Sequence, residues 1–85
     1  MIETYTKADA DKLIAYYKPL LLGKIIEQSV GAKITDLGIE PYSEGKFRVN
    51  AIARKEERNY RREITKVAFE HKLAAPADVL KHPNQ

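Results

Sequence analysis

The chain contains no cysteine and no tryptophan, and its four glycines are scattered. Without cysteine there are no disulfides, thiolate metal sites, iron–sulfur clusters or cysteine nucleophiles. Small secreted domains usually rely on disulfide staples, so a reducing compartment, the cytoplasm, is the expected setting. Gly23, Gly31, Gly38 and Gly45 stand about seven residues apart, and no glycine-rich phosphate loop is formed. The apolar runs, such as Leu20-Leu21-Leu22 and the five residues Leu13–Tyr17, are far short of the roughly 20 residues of a membrane-spanning helix. The first twelve residues, MIETYTKADADK, lack the basic and apolar regions of a secretory signal. Ser29 and Ser43 are the only serines, and neither stands in a nucleophile turn.

An excess of charge of one sign is also lacking over most of the chain. The 85 residues carry a net charge of +3. All of it resides in RKEERNYRREITK, residues 54–66, which hold six basic and three acidic side chains. Elsewhere nine basic and nine acidic residues cancel. A localised excess can form a positive surface patch, which a dispersed one cannot.

The chain does have enough apolar residues, 44%, to build a small core, and its length suits one domain spanning 1–85. Thr6 reads as a helix N-cap, with Asp9 in the first turn. Ala10, Leu13, Ile14, Tyr17 and Leu21 recur at helical spacing. Lys7 and Asp11 form an i,i+4 pair on the outer side. Pro19 disfavours helical geometry at Lys18, so the first helix is expected at 6–18. Residues 19–30 read either as a second helix framed by Pro19 and Gly31 or as a loop leading to a strand at 24–30. The strand is favoured, because Gly23 would lie inside the helix.

Residues 33–54 carry a hairpin signal. Phe47, Val49, Ala51 and Ala53 alternate with Arg48, Asn50, Ile52 and Arg54, as in a half-buried strand. Pro41, Ser43 and Gly45 supply the turn before it. Ile34 and Leu37 differ in parity, which implies an irregularity, with Gly38 as a possible bulge. Residues 57–75 are assigned a helix, with Tyr60, Ile64, Val67, Ala68, His71 and Ala75 on one face. The rival is a strand, since Thr65, Val67 and Phe69 alternate. A short helix at 77–81 follows Pro76, and residues 82–85 are expected to fray. The expected fold is therefore α+β, in the order α-β-β(-β)-α. Its small antiparallel sheet of two or three strands is covered on one face by N-terminal and C-terminal helices.

Few residues point to catalysis. His71 and His82 are too far apart for a helical metal pair. Asp9 and Asp11 do not share a helix face, and no two carboxylates are set to converge on one cleft. No catalytic, cofactor or metal residues are assigned, and an enzyme is not expected. A small-molecule or catalytic role would require a pocket holding His71 or Tyr60. On a helix over 57–75, Arg58, Arg62 and Lys66 form an i,i+4,i+8 row, with Phe69 and Leu73 set into it. Such a face suits a protein partner or a second copy, with Tyr60, Phe69 and Leu73 as interface residues. Alternatively, Arg58, Arg62 and Lys66, extended by Arg48 and Arg54, would contact nucleic-acid phosphates. In the plainest reading the face is solvated and Phe69 and Leu73 lie under the Pro76–Leu80 segment. A binding module, self-associating as a homodimer, is the leading expectation.

Overall fold

The computed structural model describes residues 2–81. Its elements run α1 (Lys7–Leu21), β1 (Lys33–Ser43), β2 (Lys46–Lys55), β3 (Arg58–Glu63), α2 (Ile64–Glu70) and α3 (Pro76–Lys81). The three strands form an open antiparallel sheet in the order β1-β2-β3. The helices cover one face, giving the α+β arrangement that the patterning implies. The expected fraying of 82–85 falls outside the described residues. No described helix is long and apolar enough to cross a membrane.

Helix α1 begins as its capping residues dictate. The Thr6 hydroxyl accepts the Asp9 amide proton at 3.1 Å, and Lys7 pairs with Asp11 at 3.0 Å. Ala10, Leu13, Tyr17 and Leu21 are completely buried along one stripe. The helix does not stop at residue 18 but runs through Pro19 to Leu21. Proline removes the amide that would bond the Ala15 carbonyl, and both Ala15 and Pro19 lie on the exposed side. Water can satisfy the freed carbonyl there, while Leu21 is still drawn into the core. Pro19→Ala is accordingly expected to stabilise the fold by about 1–2 kcal/mol, less than the full interior penalty because proline also stiffens the unfolded chain. A lowered urea midpoint would contradict this.

Residues 24–30 are not a strand. Gly23 turns at φ +86°, its amide bonds the Ile34 carbonyl, and the Ile34 amide bonds Lys24. The segment touches β1 through one bridge, Ile25 to Lys33, and then turns over Glu27–Gly31. It buries Ile26 and seals the start of the β1 edge.

The β1–β2 pairing places Ile34, Leu37 and Ile39 opposite Ala53, Ala51 and Val49 on the core face. The parity change lies between Ile34 and Asp36, so Thr35 is the extra residue. Gly38 instead makes room for Ile52, since a Cβ there would meet the Ile52 Cδ1 at 2.9 Å.

The largest departure from the sequence reading is at residues 58–63, which form β3 rather than a helix. A two-residue turn, Glu56–Glu57, joins it to β2, with Glu56 in the left-handed region at φ 57°. The turn contains none of the glycine, asparagine or proline residues that usually mark a hairpin. Tyr60 lies opposite Ala53, and its ring covers the small side chains of β2 on the core face. Only from Ile64 does the chain become helical, burying Ile64, Val67 and Ala68.

The Tyr17 hydroxyl, at the centre of the core, donates to the Ala74 carbonyl and ties α1 to the segment before α3. Burial is the main cause that pushes its phenol well above the ordinary tyrosine range, with Tyr16, Tyr5 and Asp78 adding to it. Tyr5 is also raised, chiefly by burial. In the unfolded chain these phenols ionise near pH 10. The native state therefore holds more protons above that pH, and stability falls as pH rises past about 10. Thermal melts between pH 8 and 11 are expected to show this decline, and Tyr17→Phe should flatten it.

Candidate interaction surface

The C-terminus of α2 has a local geometry that sequence patterning did not reveal. The Leu73 amide bonds the Ala68 carbonyl at 2.9 Å and the Lys72 amide bonds the Phe69 carbonyl at 3.1 Å. Together these are a Schellman cap. Its left-handed position is Lys72, at φ 58°, where glycine is usual. The cap folds the chain back so that Leu73 is half-buried against the core, and Gln28, Phe69, Glu70, Lys72 and Leu73 line one depression. His71 is held away from it by a 2.7 Å hydrogen bond from its Nε2 to the Ile25 carbonyl. Glu70 accepts the Gln28 amide proton at 3.0 Å. Loop and helix are thus pinned on both sides of Phe69.

Phe69 itself is 84% exposed, whereas the other exposed large apolar residues, Ile2, Leu20, Leu22 and Tyr42, reach only 40–54%. The Pro76–Leu80 segment does not cover it. Of the three interface residues expected from sequence, Phe69 and Leu73 share this surface. Tyr60 lies with the core on β3.

The expected basic row does not exist as a row. Arg58 and Arg62 stand on β3 and Lys66 on α2, because the strand replaces the helix on which the spacing was counted. Arg62 forms an ion pair with Glu27 of the loop. Arg48 approaches Glu40 at 3.9 Å, and the Arg54 Nε donates to the Glu56 carbonyl at 3.1 Å. Arg58 and Lys66 have no ion-pair partner among the described residues.

The uncovered face of the sheet presents a third grouping, missed by sequence reasoning because its members are far apart in the chain. Glu40 accepts from Arg61 at 2.8 Å and from the Asn50 side-chain amide at 3.3 Å, with Arg48 alongside. Asn50 is only 3% exposed although it lies on the outer face. Gly38, Ile52 and Arg61 close a shallow hollow of about 220 Å³ around it. One carboxylate, with two hydrogen-bond donors and a more distant arginine, links β1, β2 and β3. Among the described residues the hollow is lined by no pair of carboxylates set apart for proton transfer.

Comparison with protein families, with curated proteins and with solved structures finds no match.

Proposed function

We propose that the protein is a small binding module that self-associates through the end of α2, with Phe69 at the centre of a two-fold contact. The observation that carries this reading is the 84% exposure of Phe69 on a pinned, well-capped helix end. Phenylalanine is among the residue types most often buried, and aromatic side chains are enriched at protein interfaces.

A second copy is favoured over an unrelated partner by the surface's own charges. A two-fold contact needs a self-complementary patch. Glu70 and Lys72, of opposite sign, line the same depression as Phe69, and a two-fold axis passing between them would set each acid against the other copy's base. Left-handed backbone at a residue with a Cβ costs about 1 kcal/mol or more. Keeping lysine at position 72 retains a cation beside Phe69 where glycine would be the local optimum. A cytoplasmic setting belongs to the same reading, supported by the absence of cysteine.

Size-exclusion chromatography with light scattering tests this reading. The expected result is a mass that rises with concentration from 9.7 kDa toward twice that value. A strict monomer at several hundred micromolar would overturn it. The nucleic-acid reading has less support, because three of its five cations, Arg48, Arg54 and Arg62, already have acidic or carbonyl partners.

A further inference from the structure

The sheet has two outer edges, and they are treated differently. On β1, both backbone groups of Ile34 are bonded to Gly23 and Lys24. The Leu37 amide donates to its neighbour Asp36 at 2.9 Å, and that bond, with Lys18 at 3.3 Å, holds the Asp36 carboxyl below its ordinary range. Pro41 has no amide. This edge is obstructed for a further strand at Ile34, Leu37 and Pro41, and Ile39 is its one open position among these.

On the other side, Phe47 of β2 uses both its amide and its carbonyl on Tyr5, each at 2.8 Å. Phe47 also pairs with Pro41 of β1, so Tyr5 lies on the β3 side of β2. Backbone direction alternates along a strand. Ala51 and Ala53 therefore turn their groups toward β3, bonding Arg62 and Tyr60. It follows that Asn59 and Arg61 direct their amides and carbonyls outward, and neither has a backbone partner beyond β3 among the described residues.

We infer that this outer edge of β3 is a second docking site, independent of Phe69, and that it takes an extended acidic segment of another protein as a fourth strand. Main-chain bonds to Asn59 and Arg61 supply the attachment. Charge decides the occupant. The six-residue strand RNYRRE holds three arginines and one glutamate. Arg58 has no acidic partner among the described residues, and the Arg61 side chain remains 63% exposed despite its contact with Glu40. A second copy is a poor occupant. Antiparallel self-pairing centred on Tyr60 sets Arg58 against Arg62, and pairing centred on Arg61 sets it against itself. Like charges directly opposite each other destabilise a strand pair. A strand with acidic residues on alternate positions carries them all on one face, where they meet either Arg61 on the outer face or Arg58 and Arg62 on the other.

The test uses a synthetic peptide of alternating valine and glutamate, its valine–lysine counterpart, and a mixed-sequence RNA duplex. The readout is amide hydrogen exchange and amide chemical shift on the intact protein. The Asn59 and Arg61 amides are expected to gain about tenfold or more protection with the valine–glutamate peptide and none with the valine–lysine one. R61E keeps the backbone while reversing one charge, and is expected to weaken peptide binding about fivefold to tenfold. R61P removes the outward amide and is expected to abolish binding. R61E stands as the measure if R61P unfolds. Three results would each overturn the inference: unchanged amides at millimolar peptide, equal binding of both peptides, or an RNA duplex that protects the same amides and displaces the peptide.

Discussion

Under the proposed self-association, Phe69→Ser is expected to leave the protein monomeric at concentrations where the parent chain associates. A central aromatic anchor at an interface typically contributes about 2–4 kcal/mol on truncation, a factor of roughly 30 to 1,000 in the dissociation constant. The side chain is 84% exposed and makes no core contact worth preserving. The thermal midpoint of the monomer should therefore move little, since surface substitutions usually stay within about 0.5 kcal/mol. Sedimentation equilibrium on both chains would measure the change. Charge variants refine the result. Lys72→Glu should weaken the dimer by placing like charges across the axis, and adding Glu70→Lys should restore part of the loss. Recovery is incomplete because the double variant also gives up the Glu70 contact to the Gln28 amide. Unchanged association in Phe69→Ser would remove Phe69 from the interface altogether.

Tyr17→Ala is expected to have the largest effect on the fold itself. Tyr17 is the largest of the completely buried side chains, and it stacks edge-on against Tyr16 with ring centres 5.0 Å apart. Emptying such a site costs about 3–5 kcal/mol. A domain of this size has only about 5–15 kcal/mol in total, so Tyr17→Ala should be partly unfolded at 37 °C. Tyr17→Phe separates the two contributions. It keeps the ring and loses the bond to the Ala74 carbonyl, for about 1 kcal/mol. Urea titrations monitored by circular dichroism would rank the two variants. A Tyr17→Ala protein as stable as the parent would mean that the core can collapse around the gap.

The readable parts of this fold are those where one local pattern has one consequence. The stripe Ala10, Leu13, Tyr17 and Leu21 can bury itself only as a helix. The alternation Phe47, Val49, Ala51 and Ala53 can do so only as a strand. RNYRREITKVAF was not readable in this way. Tyr60, Arg62 and Ile64 alternate as a strand, while Tyr60, Ile64, Val67 and Ala68 repeat as a helix, and both patterns share the same residues. The turn before it is made by Glu56 and Glu57, with no residue that marks a hairpin. What breaks the tie is β2. Its small residues Ala51 and Ala53 leave room on the core face that Tyr60 fills from an adjacent strand. A helix from residue 57 would also leave that side of β2 without hydrogen-bond partners.

The functional surface divides along the same line. Composition and periodicity by themselves determined an α+β domain without thiol chemistry. They also determined that positions 54–66 hold the whole charge excess and that Phe69 and Leu73 are apolar residues outside the main helical stripe. Only tertiary structure decided what those features do. Pairing with β2 dispersed the arginines onto two faces of a strand, and Glu27 and Glu40, distant in the chain, met Arg62, Arg61 and Arg48. The left-handed turn at Lys72 drew Leu73 toward the core and left Phe69 outside. The physical reason is that burial and ion pairing depend on which segments meet in space, and local spacing records only the options each segment brings to that meeting.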